Sequence, residues 1–256
     1  MEEKNKKSIW ISLSNSQKKI RLERVYRILK KVANEQLSLL SDFEKSKNTI
    51  KTERHRYFLT IVESFWEDAD FALALGKNKF KYNATYPART MWEKLLKIEW
   101  FSNIKEAEGQ NLITKKELMR SCLLSYRSNK DAGRPIDEFE DYYNQFNDVN
   151  LPEISKVKIR ELEAFPNYEE MCKKSKLSGA SILYKSYRDL SNSTHGNLLA
   201  VFTVQNGGKD LVYIQAMHNV ARFCIEMLKL TDFHLGYKTR EKVEKAIKIS
   251  ESITFK

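Results

Sequence analysis

The stretch YRDLSNSTHGN, residues 187–197, sets Arg188, Asp189 and His195 around Ser191, Asn192, Ser193 and Thr194. Small polar residues accept backbone N–H groups through their side chains and so favour helix ends. One helix is therefore expected to stop near Asn192 and another to start near His195. Arg188 then falls in the last turn of the first helix and His195 in the first turn of the second. A short corner can aim both into one concavity. The chemistry such a pair suits is RNA cleavage without metal. A ribose 2′-OH must lose a proton and attack the adjacent phosphate. An imidazole titrating near neutrality can take or give that proton. A guanidinium can hold the phosphate in bidentate fashion and offset its developing charge. Free N–H groups at the start of the second helix add an anion cradle. Asp189 would orient the His or the Arg. The competing reading is a capped corner whose His195 bonds a nearby carbonyl and does no chemistry, in a non-catalytic helical interaction module or nucleic-acid-binding protein.

Other polar residues could serve the same site. Arg89 and Glu93 in ARTMWEKL are four apart and share one helix face, which Leu96 and Trp100 continue. Arg89 is a candidate second phosphate clamp and Glu93 a positioning carboxylate; the alternative is an intrahelical ion pair that fixes packing. Tyr187 and Asn192 are candidate substrate contacts. Tyr82 and Tyr86 also border the candidate residues, and a tyrosine there can stack on a base. Of the other histidines, His55 is expected to be exposed, His218 to sit on a buried helix, and His234 to lie in a loop with no evident partner. No H-E-x-x-H or C-x-x-C spacing occurs, so no metal is expected. The glycine pair 207–208 lacks the spacing of a phosphate loop, and no G-x-S-x-G motif occurs. No small-molecule cofactor is implied. Cys122, Cys172 and Cys224 are far apart and odd in number, which favours buried thiols over disulfides.

The elements that must position these residues read as helices. The chain has only 8 Gly and 4 Pro in 256 residues, too few turn formers for an all-β fold. A first amphipathic helix is expected over SLSNSQKKIRLERVYRILKKVANEQLSLLSDFEKS, with a break near Asn34. A second covers TERHRYFLTIVESFWEDADFALAL with Gly76 as its stop. Pro87 is expected to start a third, because proline loses no hydrogen bond in a first turn. TKKELMRSCLLSYRSNK makes a fourth and IDEFEDYYNQFND a short acidic one. ASILYKSYRDLSN and HGNLLAVFTV flank the corner. GGKDLVYIQAMHNVARFCIEMLKL is apolar on most sides and reads as a central helix, followed by amphipathic YKTREKVEKAIKIS. Two strand-like runs, SIWISL and ITFK, stand at the chain ends. The expectation is an all-α bundle of about seven to nine helices. It forms a single domain, 1–256: N-terminal helices over 12–130, a helical insertion or connector over 131–180, and C-terminal helices carrying the corner over 181–250.

The formal net charge is +11, with 31% of residues charged. Basic residues crowd the N-terminus in KNKKS and QKKIRLERVYRILKK. Such a surface attracts phosphate polymers, so RNA is the expected partner, although spread lysines also simply solvate helix faces. No apolar run reaches the roughly 18 residues of a membrane span, and the polar N-terminus does not read as a signal peptide. A cytoplasmic location without membrane contact is expected.

Arg188, Asp189 and His195 resemble the motif of HEPN-domain ribonucleases: an Arg, a polar residue, a spacer, then His. The resemblance implies a compact helical bundle, metal-independent endoribonuclease activity, and a toxin or phage-defence role. It also implies a homodimer in which the motifs of two subunits meet at one cleft. Over residues 20–230, ARTMWEKL followed far downstream by LSNSTHGN is similar to an all-helical bacterial family. Its members carry R-x-x-x-E and S-x-x-H-type motifs, with no firmly established activity.

Overall fold

The computed structural model describes residues 12–44, 52–77, 81–147, 150–177, 184–185, 188 and 209–255. Among them are eight α-helices: α1 Asn15–Glu44, α2 Thr52–Lys77, α3 Thr85–Asn103, α4 Ala107–Asp131, α5 Asp137–Phe146, α6 Tyr168–Lys174, α7 Lys209–His234 and α8 Arg240–Phe255. Single 3-10 turns lie at Lys81–Ala84 and Ile159–Leu162. No strand occurs among the described residues. The all-α bundle expected from the sequence is the fold observed.

α1 starts on a reciprocal cap. Gln17 N donates to Ser14 Oγ at 3.2 Å while Ser14 N donates to Gln17 Oε1 at 2.9 Å. Leu22, Val25, Tyr26, Leu29, Ala33 and Leu40 then line the buried face. The expected break at Asn34 does not occur: Asn34 is exposed, so its amide competes with no core contact and costs the helix only propensity. Gly76 is not a stop either, because α2 runs on to Lys77. α3 begins two residues before Pro87, which sits buried within the first turn, where its missing N–H has no intrahelical partner to lose.

Cross-helix contacts fix the directions. Tyr26 and Lys30 of α1 reach Asp70 of α2 at 2.5 and 2.9 Å, while the carbonyl of Leu40 near the other end of α1 meets His55 near the start of α2. These two helices are antiparallel. Lys94 of α3 reaches Ser64 and Asp68, and Tyr57 packs on Phe101, so α3 reverses again. α7 runs with α1, since Lys19 lies over Tyr213 and Gln36 donates to the Leu228 carbonyl at 3.0 Å. Trp92 of α3 stacks on Phe223 of α7 with centroids 5.4 Å apart. These contacts make α7 the central helix, touching α1, α2, α3 and α8. Trp66, Trp92, Phe58, Phe65, Phe101 and Phe223 fill the core between them.

α8 returns along α1: Lys242 pairs with Glu35, and Arg21 donates to the Ile253 carbonyl at 3.0 Å. The expected strand at ITFK is thus corrected, since Ile253, Thr254 and Phe255 are the last residues of α8. A β-branched run needs a neighbouring strand to pair with, and the described residues offer only helices. The α7–α8 turn is held by a buried network. Asp232 Oδ1 accepts from Thr239 N at 2.8 Å and Thr239 Oγ1 at 2.6 Å, and Gln36 Nε2 donates to Thr239 Oγ1 at 2.8 Å. Asp232→Ala leaves two buried donors without an acceptor. It is expected to lower unfolding free energy by about 2 kcal/mol, read from urea midpoints.

The chain after α4 builds a smaller cluster. Gly133 ends the helix with φ +64°, and Arg134 N bonds back to the Asn129 carbonyl at 2.8 Å. Tyr143 of α5, Ile154, Val157 and Leu162 pack on Met119, Leu123 and Tyr126 of α4. No helix among the described residues is long and apolar enough to cross a membrane.

Candidate functional site

The i, i+4 spacing on α3 does bring Arg89 and Glu93 together. Arg89 Nε donates to Glu93 Oε1 at 3.1 Å, and both side chains are about three-quarters buried. Leu96 is buried and Trp100 half-buried further along the same stripe. The ammonium of Lys174 in α6 lies 5.5 Å over the Trp100 ring. This end of the stripe is therefore where α6 packs.

Beside the stripe stands Glu99, a carboxylate only 4% exposed within an apolar helix. It accepts from Ser175 Oγ at 2.5 Å, Lys176 N at 2.5 Å and Leu177 N at 3.2 Å. These donors satisfy a charge that would otherwise be costly to bury. They also clamp the residues just after α6 to the C-terminal half of α3. After the described helical residues 184, 185 and 188, the next described stretch begins with α7 at Lys209. The Trp92–Phe223 stack, with α7 running in the direction of α3, sets the first turns of α7 beside the Lys81–Ala84 turn that precedes α3.

Of the corner itself, Arg188 is helical and exposed. Its charge reaches Glu169 of α6. The Glu169 carboxyl is held below its ordinary range mainly by its bond to Lys173, with a smaller share from Arg188. Tyr184, one turn earlier, packs against the main core. Asp189, His195, Tyr187 and Asn192 lie outside the described residues. Tyr86 is 49% exposed, and Tyr82 belongs to the 3-10 turn.

Two histidines depart from expectation. His55 is half-buried rather than exposed, and its Nε2 donates to the Leu40 carbonyl at 2.7 Å. His234 is the last residue of α7 rather than a loop residue. Its ring stacks on Phe58 with centroids 3.8 Å apart and lies 5.7 Å from the His55 ring. The covered ring face pushes its pKa down to about 4, and the nearby His55 adds to this. A histidine lowered on folding is protonated more readily in the unfolded chain. Stability is therefore full above about pH 6.5 and falls as pH drops toward 4. His234 keeps an exposed edge, which screens the effect to roughly 1 kcal/mol. Urea midpoints should thus decline between pH 6.5 and 4 more in the native chain than in His234→Gln. His218 is also lowered, by burial first and by Arg222 second.

Among the described residues no three His, Cys, Asp or Glu side chains cluster as a metal site would require. The three cysteines are free thiols; burial pushes Cys172 up to about 11, and Glu99 beside it adds to this. Two arrangements escaped the reading of spacing alone. One is the Glu99 clamp, whose only sequence signal is an acid inside the apolar run KIEWF. The other is a charged group, Lys97 with Glu117 and Arg120, whose members come from two helices.

No family model, curated protein or solved structure matches the chain.

Proposed function

We propose that the protein is an RNA-directed endoribonuclease of HEPN type that works without metal, with His195 as general acid/base, Arg188 as phosphate clamp and Asp189 as the residue orienting them. In the step envisaged, the 2′-O–H proton passes to a base and the 2′-oxygen attacks phosphorus. The P–O5′ bond breaks, and the 5′-oxygen leaves with a proton. Tyr187 and Asn192 would contact the bound strand. Arg89, tied to Glu93, would supply a second cation along α3. By the same resemblance, two subunits would pair their corners as a homodimer in a toxin or phage-defence setting, in the cytoplasm.

The observation that carries this reading is the placement of Arg188. It is a solvent-exposed guanidinium on a helix, seven positions before His195 in the sequence. A supporting one is that the described chain is fixed to the C-terminal half of α3 at Leu177 and resumes in α7, which packs on α3 and on the Lys81–Ala84 turn before it. In sequence the corner belongs to the chain between those two points. The test is incubation of purified protein with RNA in excess chelator. Cleavage supports the reading, and intact RNA under all salt conditions overturns it.

A second reading has its own observation. Arg24, Arg27 and Lys31 on α1 are exposed. The protein would then bind RNA through α1 without cutting it. Affinity would fall steeply with salt and would not change in His195→Ala.

A further inference from the structure

Between α3, α4 and the chain running into α6 lies a cleft of about 290 Å³, lined in part by Lys97, Arg120, Glu163, Phe165 and Tyr168. One carboxylate serves both of its cations. Glu117 Oε2 accepts from Lys97 Nζ at 2.8 Å, but Glu117 Oε1 stands 3.7 Å from Arg120 Nη1, too far for a hydrogen bond. Arg120 Nε is buried with no acceptor among the described residues, and Glu117 Oε1 has no donor. A buried N–H without an acceptor is uncommon in folded proteins and marks a place where an acceptor is missing. Nε itself is buried, while the Arg120 side chain as a whole stays 39% exposed.

The walls are of a different kind. Lys97 Nζ lies 5.1 Å over the Phe165 ring, and Tyr168 supplies a second ring. Pro166 and Met171 add to the lining. Flat apolar surfaces with a few convergent polar groups are the usual make-up of small-molecule sites. The volume is at the lower end of such sites, which run from about 300 to 1,000 Å³. It suits one ring with one short substituent and excludes a polymer strand.

We propose that this cleft binds a small planar molecule carrying a single anionic group, a carboxylate or a phosphate, with the anion on Arg120 and Lys97 and the ring between Phe165 and Tyr168. The proposal is independent of the Arg188–His195 corner and stands or falls without it.

The test is titration of the full chain with benzoate, phenyl phosphate, inorganic phosphate and benzyl alcohol, followed by ligand-observed NMR. At least one of the two aromatic anions saturates with a Kd of about 1 mM or tighter. Which of the two binds better distinguishes a carboxylate from a phosphate ligand. Inorganic phosphate and benzyl alcohol bind at least about tenfold more weakly, because each lacks half of the recognition. Arg120→Gln, checked by its melting curve, weakens the aromatic anion by about tenfold or more. If that variant melts early, Phe165→Leu takes its place, and it weakens the aromatic anions while leaving inorganic phosphate unchanged. Failure of both aromatic anions to saturate overturns the proposal. So does equal binding of phenyl and inorganic phosphate, or full affinity in the variant that folds.

Discussion

His195→Ala is expected to reduce metal-independent RNA cleavage by about 10²–10⁴-fold, the usual share of a positioned general acid/base. The imidazole has no substitute nearby in sequence: the corner holds no second histidine. On this reading the same variant should melt within about 0.5 kcal/mol of the native chain. The two readouts separate the readings. A catalytic His loses activity and keeps stability. A His that only bonds a carbonyl in a capped corner loses stability and leaves cleavage unchanged. Arg188→Lys should fall between them in activity, because a lysine keeps the charge without the planar fork that holds a phosphate in two places.

Glu99→Ala is expected to be the most destabilising single change in the described residues outside the aromatic core. It removes the acceptor for three donors, the Ser175 hydroxyl and the N–H groups of Lys176 and Leu177. Charge-assisted bonds contribute about 1.5–3 kcal/mol each, but the donors regain some water when the clamp opens, so a net loss of about 3 kcal/mol is expected. In a chain of this size that lowers the melting temperature by roughly 6–12 °C. Glu99→Gln should lose less, since the amide oxygen still accepts, although its NH₂ faces donors. The clamp holds the chain as it leaves α6 toward the corner. Glu99→Gln should therefore also lower RNA cleavage at temperatures where it is fully folded. Unchanged activity in that variant would separate the clamp from the site.

Periodicity was enough to read most of the bundle. α1 and α7 are legible because their apolar residues recur every three or four positions, and the low Gly and Pro content leaves few places to stop. Errors came where a local signal competes with tertiary context. Asn34 looks like a break but faces water. Ile253, Thr254 and Phe255 look like a strand but continue a helix that docks on α1. His234 had no visible partner because Phe58 and His55 sit on a helix far away in sequence. The Arg89–Glu93 pair was readable because both members share one helix. Lys97 with Glu117 and Arg120 was not, because the helix crossing that joins them is set by side-chain packing and not by spacing. The corner at 187–197 stood out through residue types alone, which name a chemistry but not the distance between Arg188 and His195.

The most direct measurement is the identity of the ends that cleavage leaves. A short RNA and a matched strand with a 2′-deoxy sugar at the cleaved position are digested in excess chelator, and the products are weighed by mass spectrometry. Attack by the 2′-oxygen predicts a 2′,3′-cyclic phosphate and a 5′-hydroxyl, with no cleavage at the deoxy position. A 5′-phosphate end, or equal cutting of the deoxy strand, would contradict the roles given to His195 and Arg188.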